Sequence, residues 1–261
     1  MSGVLYGVGT GPGDPELMTL KAVRALERAD VVAHFAKRGS PSNARAIASA
    51  YIRDDVIELP LLYPVTTELP HRSDAYQQSI SCFYEESAQA VAAHLDAGRT
   101  VCVLSEGDPL FYGSYMHLHV RLAARYPSEV IAGVTAMSGC WSQSGLPLAQ
   151  GEDVLTVLPG TVDDSELVRR LSTPDAVVIM KVGRNLPRIR RALEASGRLA
   201  DAVYVERGTT QRASHMRLAA KEDDQAPYLS LVLVPAWSAR PCPEPVADIN
   251  AGTRAMGAAH G

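Results

Sequence analysis

Long apolar stretches are missing from this sequence. Its longest mainly apolar runs, Val101 to Leu104, Ala176 to Met180 and Leu229 to Val234, fall far short of the ~18 residues that a membrane-spanning helix needs. No basic residue precedes Lys21 and no apolar core opens the chain. Neither a signal nor a transit peptide is therefore expected, and the default address is cytoplasmic. Positive charge is not in excess either. Lys plus Arg number 25 against 29 Asp plus Glu, for a net charge of −4, and no dense basic run offers the footprint of a nucleic-acid binder. A local cationic pocket stays open. Cysteine is scarce: Cys82, Cys102, Cys140 and Cys242 are far apart and form no C-x-x-C pair. Zinc cages and disulfide frameworks are thus unexpected, and the thiols read as reduced and mostly core. There is no internal repeat and no G-x-x-x-x-G-K-[ST] phosphate loop.

The 261 residues that remain, 46% hydrophobic and 21% charged, are ample for a packed core. Short β-rich runs alternate with helical stretches, the signature of an α/β fold with a largely parallel sheet. Strands are predicted at Val4 to Val8, Asp30 to His34, Val56 to Leu59 and Thr100 to Leu104. The last is apolar throughout, as in a strand covered on both faces. Asp14 reads as a helix cap and Pro15 as the first helical residue, with Leu17, Leu20, Val23 and Leu26 forming one stripe. A long helix is predicted from His71 to Ala97, closed by Gly98. In the second half, strands at Val154 to Leu158, Ala176 to Met180 and Ala202 to Val205 alternate with helices, and an antiparallel finish follows. Two α/β domains sharing a cleft are expected, residues 1–115 and 116–239, with 240–261 as a mobile tail.

Three strand-to-helix turns carry the chemistry. Gly7-Val-Gly-Thr-Gly-Pro-Gly-Asp-Pro15 is glycine-rich, but its third glycine is out of register for a dinucleotide fingerprint. Asp14 would also occupy the helix N-terminus that a phosphate needs. Ser105-Glu-Gly-Asp-Pro-Leu-Phe-Tyr-Gly-Ser114 follows the buried strand, where ligands of parallel sheets bind. Its acids and aromatics suit a ligand bearing cationic and hydroxyl groups, or else form a sharp turn capped by Asp108. Gly133-Val-Thr-Ala-Met-Ser-Gly139 opens a small-residue helix, fit for a flat ligand or for a neighbouring helix. His117 and His119 stand at i and i+2, so on a helix they point apart and cannot chelate one metal together.

Together these stretches resemble the tetrapyrrole methylase superfamily, the S-adenosylmethionine-dependent methyltransferases of the cobalamin and siroheme pathways. The likeness runs over residues 3 to about 237 and is carried by Glu106 to Leu122, Gly133 to Trp141 and Val157 to Thr161. It implies two αβα domains, a homodimer, and S-adenosylmethionine as methyl donor with no metal. The matching cofactor positions are Pro12, Glu106, Gly107, Asp108, Phe111, Thr135, Ala136, Met180 and Gly208. The implied substrate is an eight-carboxylate tetrapyrrole, for which Arg72, Arg184, Arg188, Arg207 and Arg212 are candidate partners, each alternatively a solvated surface charge. Tyr112, His117 and His119 are candidates by position for taking the proton that leaves the methylated carbon. The chain departs from the superfamily at Ala132, where a proline usually precedes Gly133, and at Phe35, where methylases of the pyrrole carbons carry Asp.

Overall fold

The computed structural model describes residues 2–64 and 73–236. The tail expected at 240–261 lies outside the described residues. The chain divides into two compact units, Met1–Gly139 and Cys140–Gly261.

In the first unit, β1 (Leu5–Gly9), β2 (Val31–Lys37), β3 (Ile57–Tyr63), β4 (Val101–Ser105) and β5 (Ser128–Ile131) form one sheet in the order β3-β2-β4-β1-β5. Every pairing is parallel, so all five strands end at one edge. Helices α1 (Leu20–Leu26), α2 (Asn43–Ile47), α3 (Asp74–Asp96) and α4 (Tyr115–Leu122) are the crossovers. Strand β4 explains why both faces must be covered. Val101 and Val103 belong to a core with Leu95, Leu118 and Leu122, whereas Cys102 and Leu104 belong to another with Ala22, Leu26 and Ile131. Successive side chains point to opposite faces, and here both are apolar.

The unit extends to Gly139, beyond the boundary expected at 115, because β5 pairs with β1 from Leu5↔Ser128 to Val8↔Ile131. The single stripe expected from Leu17 to Leu26 is two elements. Asp14 caps a short 3-10 turn, Pro15–Leu17, by accepting from the Glu16 amide at 2.9 Å. Thr19 then caps α1 by accepting from the Ala22 amide at 3.2 Å. Two caps in one stripe force two starts. Helix α3 begins later than His71, at Asp74, where the Ser73 hydroxyl accepts from the Tyr76 amide.

Helix α5 (Ala136–Gln143) contains the point at which the units divide. The second unit adds β6 (Leu155–Pro159), α6 (Asp164–Leu171), β7 (Ala176–Met180), α7 (Leu186–Ala195), β8 (Val203–Glu206), β9 (Ser214–Arg217) and β10 (Ser230–Val234). Its sheet runs β6-β7-β10-β8-β9. Strand β10 is antiparallel to both β7 and β8, and β9 is antiparallel to β8, which is the antiparallel finish expected. Strands β6, β7 and β8 consequently end at the same edge.

Opposite that edge, Arg198 is only 7% exposed. Its guanidinium donates to the Thr173 and Asp175 carbonyls at 2.7 Å each and to the Pro235 carbonyl at 3.0 Å, fastening the entry to β7 onto the exit from β10. Arg198→Met would leave these acceptors without a charged donor, so a loss of about 2 to 4 kcal/mol is expected in urea unfolding, against no change for the exposed Arg191→Met.

Candidate functional site

At the carboxyl edge of the first sheet the loops leaving β1, β4 and β5 meet backbone against backbone. A side chain on Gly133 would put its Cβ 2.0 Å from the Gly107 carbonyl oxygen, and one on Gly9 would lie 2.6 Å from the Gly133 amide. Real Cβ atoms do not come so close to backbone, so these positions admit glycine alone. The Gly107 amide donates to the Gly11 carbonyl at 2.8 Å, and both residues hold positive φ, 65° and 75°. Buried Thr10 clamps the first two loops from the same side: its amide and its hydroxyl both donate to the Ser105 carbonyl, at 2.9 and 3.1 Å.

Asp108 ties in the third loop. One carboxylate oxygen accepts from the Leu110 amide at 2.9 Å and the other from the Gly133 amide at 3.1 Å. Of the two roles open to it from the sequence, the capping role is realised, and each oxygen retains further acceptor capacity. The same bond holds the turn where Ala132 replaces the superfamily's proline. Glu106 is exposed at the surface but crowded by protein, and the desolvation raises its carboxyl above the ordinary value, with an Asn43 hydrogen bond opposing. Thr135 caps α5 by accepting from the Ser138 amide at 3.3 Å. The Ala136 amide lies 3.5 Å from where a Gly107 Cβ would stand. Phe111 packs edge-on to Tyr112 at 4.9 Å. The first unit thus gathers Glu106, Gly107, Asp108, Thr135 and Ala136, with Pro12 beside the Gly11 bridge and Phe111 farther along the β4 loop.

Met180 and Gly208 belong to the second unit, at the ends of β7 and β8. Gly208 is buried against Cys140, whose sulfur would be 2.4 Å from an added Cβ. Burial pushes the Cys140 thiol up to about 12, against a Gly208 backbone hydrogen bond that lowers it, so this thiol stays protonated near neutrality.

The candidate arginines divide. Arg188 donates to Asp164 at 2.7 Å, to the Val162 carbonyl at 2.6 Å and to the Gly160 carbonyl at 3.3 Å, which pins the loop after β6. Arg184, in the short 3-10 turn Gly183–Asn185, and Arg212, on the loop after β8, are exposed at the same sheet edge, and Arg207 makes one long contact, 3.3 Å, with Glu206. Arg72 lies outside the described residues. His117 and His119 diverge as their spacing requires. The first stacks on Tyr84 with ring centroids 3.9 Å apart, and the second faces the Tyr115 hydroxyl at 3.3 Å. Desolvation first, then Arg121, lowers the His117 pKa below the ordinary imidazole value. Tyr112 is 46% exposed and has a positive φ of 54°.

Sequence patterns did not single out Gly9, Thr10 and Asn43 one by one, because their partners lie about a hundred, or in one case about sixty, residues away. Phe35 packs among Tyr63, Phe83 and Tyr84, with centroids 5.8 to 6.3 Å apart. Next to that cluster, Tyr84 donates to the Ser114 hydroxyl at 3.2 Å and Tyr63 shares the same oxygen. Among the described residues no group of three or more His, Cys, Asp or Glu is placed to hold a metal ion.

As a ligand cradle, the edge offers bare backbone where close approach is needed, carboxylates for ammonium or ribose hydroxyl groups, and an aromatic face for a sulfonium. S-adenosylmethionine has these groups, and the residues present fit it.

Residues 4–222 match the family model described as Tetrapyrrole (Corrin/Porphyrin) Methylases. The chain is 66% identical over 245 residues to a precorrin-2 C(20)-methyltransferase of a Sinorhizobium species, covering 92% of this chain and 100% of that protein. It is 46% identical over 238 residues to the cobalamin biosynthesis protein CobIJ of Mycobacterium tuberculosis, covering 91% of this chain and 47% of that protein. In structure it is similar to uroporphyrin-III C-methyl transferase from Thermus thermophilus complexed with S-adenyl homocysteine, with a TM-score of 0.65, 25% identity, and coverage of 96% of this chain and 100% of that one.

If Asp108 holds the third loop as described, Asp108→Ala strands the Gly133 and Leu110 amides and is expected to lower unfolding stability by about 1 to 3 kcal/mol. Asp108→Asn, which keeps an acceptor oxygen, should lose less. Urea melts of the two variants that agree with wild type would contradict the tie.

Proposed function

The chain belongs to the tetrapyrrole (corrin/porphyrin) methylases, and from that premise we propose that it transfers a methyl group from S-adenosylmethionine to C-20 of precorrin-2, giving precorrin-3A in cobalamin biosynthesis. The observation that carries this choice of substrate and position is the 66% identity to the Sinorhizobium precorrin-2 C(20)-methyltransferase over that protein's whole length.

When bound, S-adenosylmethionine supplies a methyl group already activated on a sulfonium sulfur, so no nucleophilic side chain is required. The task left to the chain is to align carbon, methyl and sulfur and to exclude water. Gly107 and its neighbours give the donor a floor without side chains, Glu106 and Asp108 supply acceptors for its polar groups, and Phe111 supplies an aromatic face. Thr135 and Ala136, small at the start of α5, leave room for a flat base, and the family resemblance assigns Met180 and Gly208 of the second unit to the cofactor as well. Arg184, Arg207 and Arg212 pair with carboxylates of the macrocycle, whereas Arg188 acts by holding the 160–164 loop. As the new carbon–carbon bond forms, C-20 must release a proton. Tyr112, His117 and His119 are the candidates to take it; burial lowers the His117 pKa below the ordinary imidazole value, so that ring is neutral and able to accept near pH 7.

In this reading the enzyme is a cytoplasmic homodimer that uses no metal ion. Among the described residues no helix is long and apolar enough to cross a membrane.

Incubating the enzyme with carbon-13-methyl donor and precorrin-2, then with uroporphyrinogen III, tests the assignment. One methyl at C-20 of precorrin-2 and no turnover of uroporphyrinogen are expected by carbon NMR. Label at C-2 or C-7, or two methyls per macrocycle, would move the chain to another reaction of the family. Light scattering should return twice the 28.0 kDa chain mass.

A further inference from the structure

Four non-glycine residues among those described hold φ in the left-handed region: Tyr112 at 54°, Lys181 at 55°, Arg207 at 50° and Thr209 at 67°. Side chains are crowded there, and glycine is the relaxed occupant. Two of the four are cations in matching places, Lys181 directly after the last residue of β7 and Arg207 directly after the last residue of β8. The register puts them nearly level. Ile179 of β7 and Tyr204 of β8 both pair with Val232 of the strand between them, so the two exits lie two strand spacings apart, about 10 Å.

Their backbone bonds do not call for a side chain. The Lys181 carbonyl accepts from Asn185 at 3.0 Å, the Arg207 amide donates to the Leu229 carbonyl at 2.7 Å, and the Arg207 carbonyl accepts from the Thr210 hydroxyl at 2.8 Å. A glycine would make all three. Other arginines of this unit spend their guanidinium groups on carbonyls: Arg198 on three, Arg190 on Leu218, Lys221 and Asp223. Lys181 is exposed, and Arg207 keeps donors beyond its single 3.3 Å contact with Glu206, whose other oxygen accepts from Tyr204. Strained backbone of this kind clusters at ligand-binding positions, and at both of these the side chain is a cation at a strand exit.

We propose that Lys181 and Arg207 form a paired clamp for carboxylates of the tetrapyrrole, aimed over the edge of the second sheet by their left-handed backbone. The proposal rests on the substrate class given above and adds Lys181 to the residues that recognise it. Arg207 supplies a fork for one carboxylate, and Lys181 a point charge for another.

The test uses the strain itself. Lys181→Gly and Arg207→Gly should melt about 2 to 4 °C above wild type, because glycine relaxes the backbone. Each should nonetheless raise KM for precorrin-2 about tenfold, flatten its salt dependence, and leave affinity for S-adenosylhomocysteine within about twofold. Lys181→Asn and Arg207→Asn, neutral but tolerant of left-handed φ, should repeat the KM effect without added backbone freedom. Unchanged KM in the stabilised variants overturns the clamp, as does a lower melting temperature in both the Gly and Asn series. Uroporphyrin, an eight-carboxylate porphyrin, separates the clamp from the reaction. If wild type binds it, both Asn variants weaken that binding about tenfold and wild type does not methylate precorrin-2, the reaction falls and the clamp stands.

Discussion

Backbone contact between three loops, with no side chain intervening, is the constraint from which the carboxyl edge of the first sheet follows. With Gly9, Gly107 and Gly133 bare, the exits of β1, β4 and β5 can close on one another. The Thr10 clamp, the Gly11–Gly107 bridge and the two Asp108 bonds then become geometrically possible. Sheet order adds the location. Strands β1 and β4 are neighbours, but the chain leaves β1 for β2 on one side and β4 for β5 on the other. At such a switch point the connections diverge and a crevice opens outside the strand ends. The candidate cofactor site at this edge gains from this because its walls are held by main-chain bonds, which reorganise less than flexible side chains.

Much of this was visible in the residues. The fully apolar β4, the glycine-rich exits and the closing antiparallel strand gave themselves away by composition, because burial on both faces leaves no place for polar alternation. The boundary between units was obscured by β5. The short strand at Glu129 to Ile131 is readable from its residues, but its pairing with β1, far away in sequence, is not. The stripe from Leu17 to Leu26 concealed a break because hydrophobic spacing survives a two-residue interruption, while the caps at Asp14 and Thr19 do not permit one continuous helix. At the site, Asp108 could be placed by its motif. Its bond to Gly133 could not, since a separation of 25 residues carries no period.

Arginine does two kinds of work in the second unit, and net charge hides the difference. Arg188, Arg190 and Arg198 behave as multidentate struts that gather carbonyls from separate loops. Loop carbonyls left over at strand entries need donors, and one guanidinium can satisfy three where a lysine would reach fewer. With those charges committed to the frame, the proposed recognition of an anionic substrate is left to cations at strand exits, which an overall charge of −4 does not reveal.

The division between the units passes through α5, between Gly139 and Cys140. Severing the chain there would leave two fragments of a helix, each barely a turn long, and nucleation is too costly for either to persist alone. Thr135 would cap a helix with nothing to propagate, and Cys140 would lose the turn that presses it on Gly208. The halves are therefore poor modules for recombination at this joint. Gene fusions and splits that respect the fold should instead fall outside α5, and melting of that one helix would be felt in both halves simultaneously.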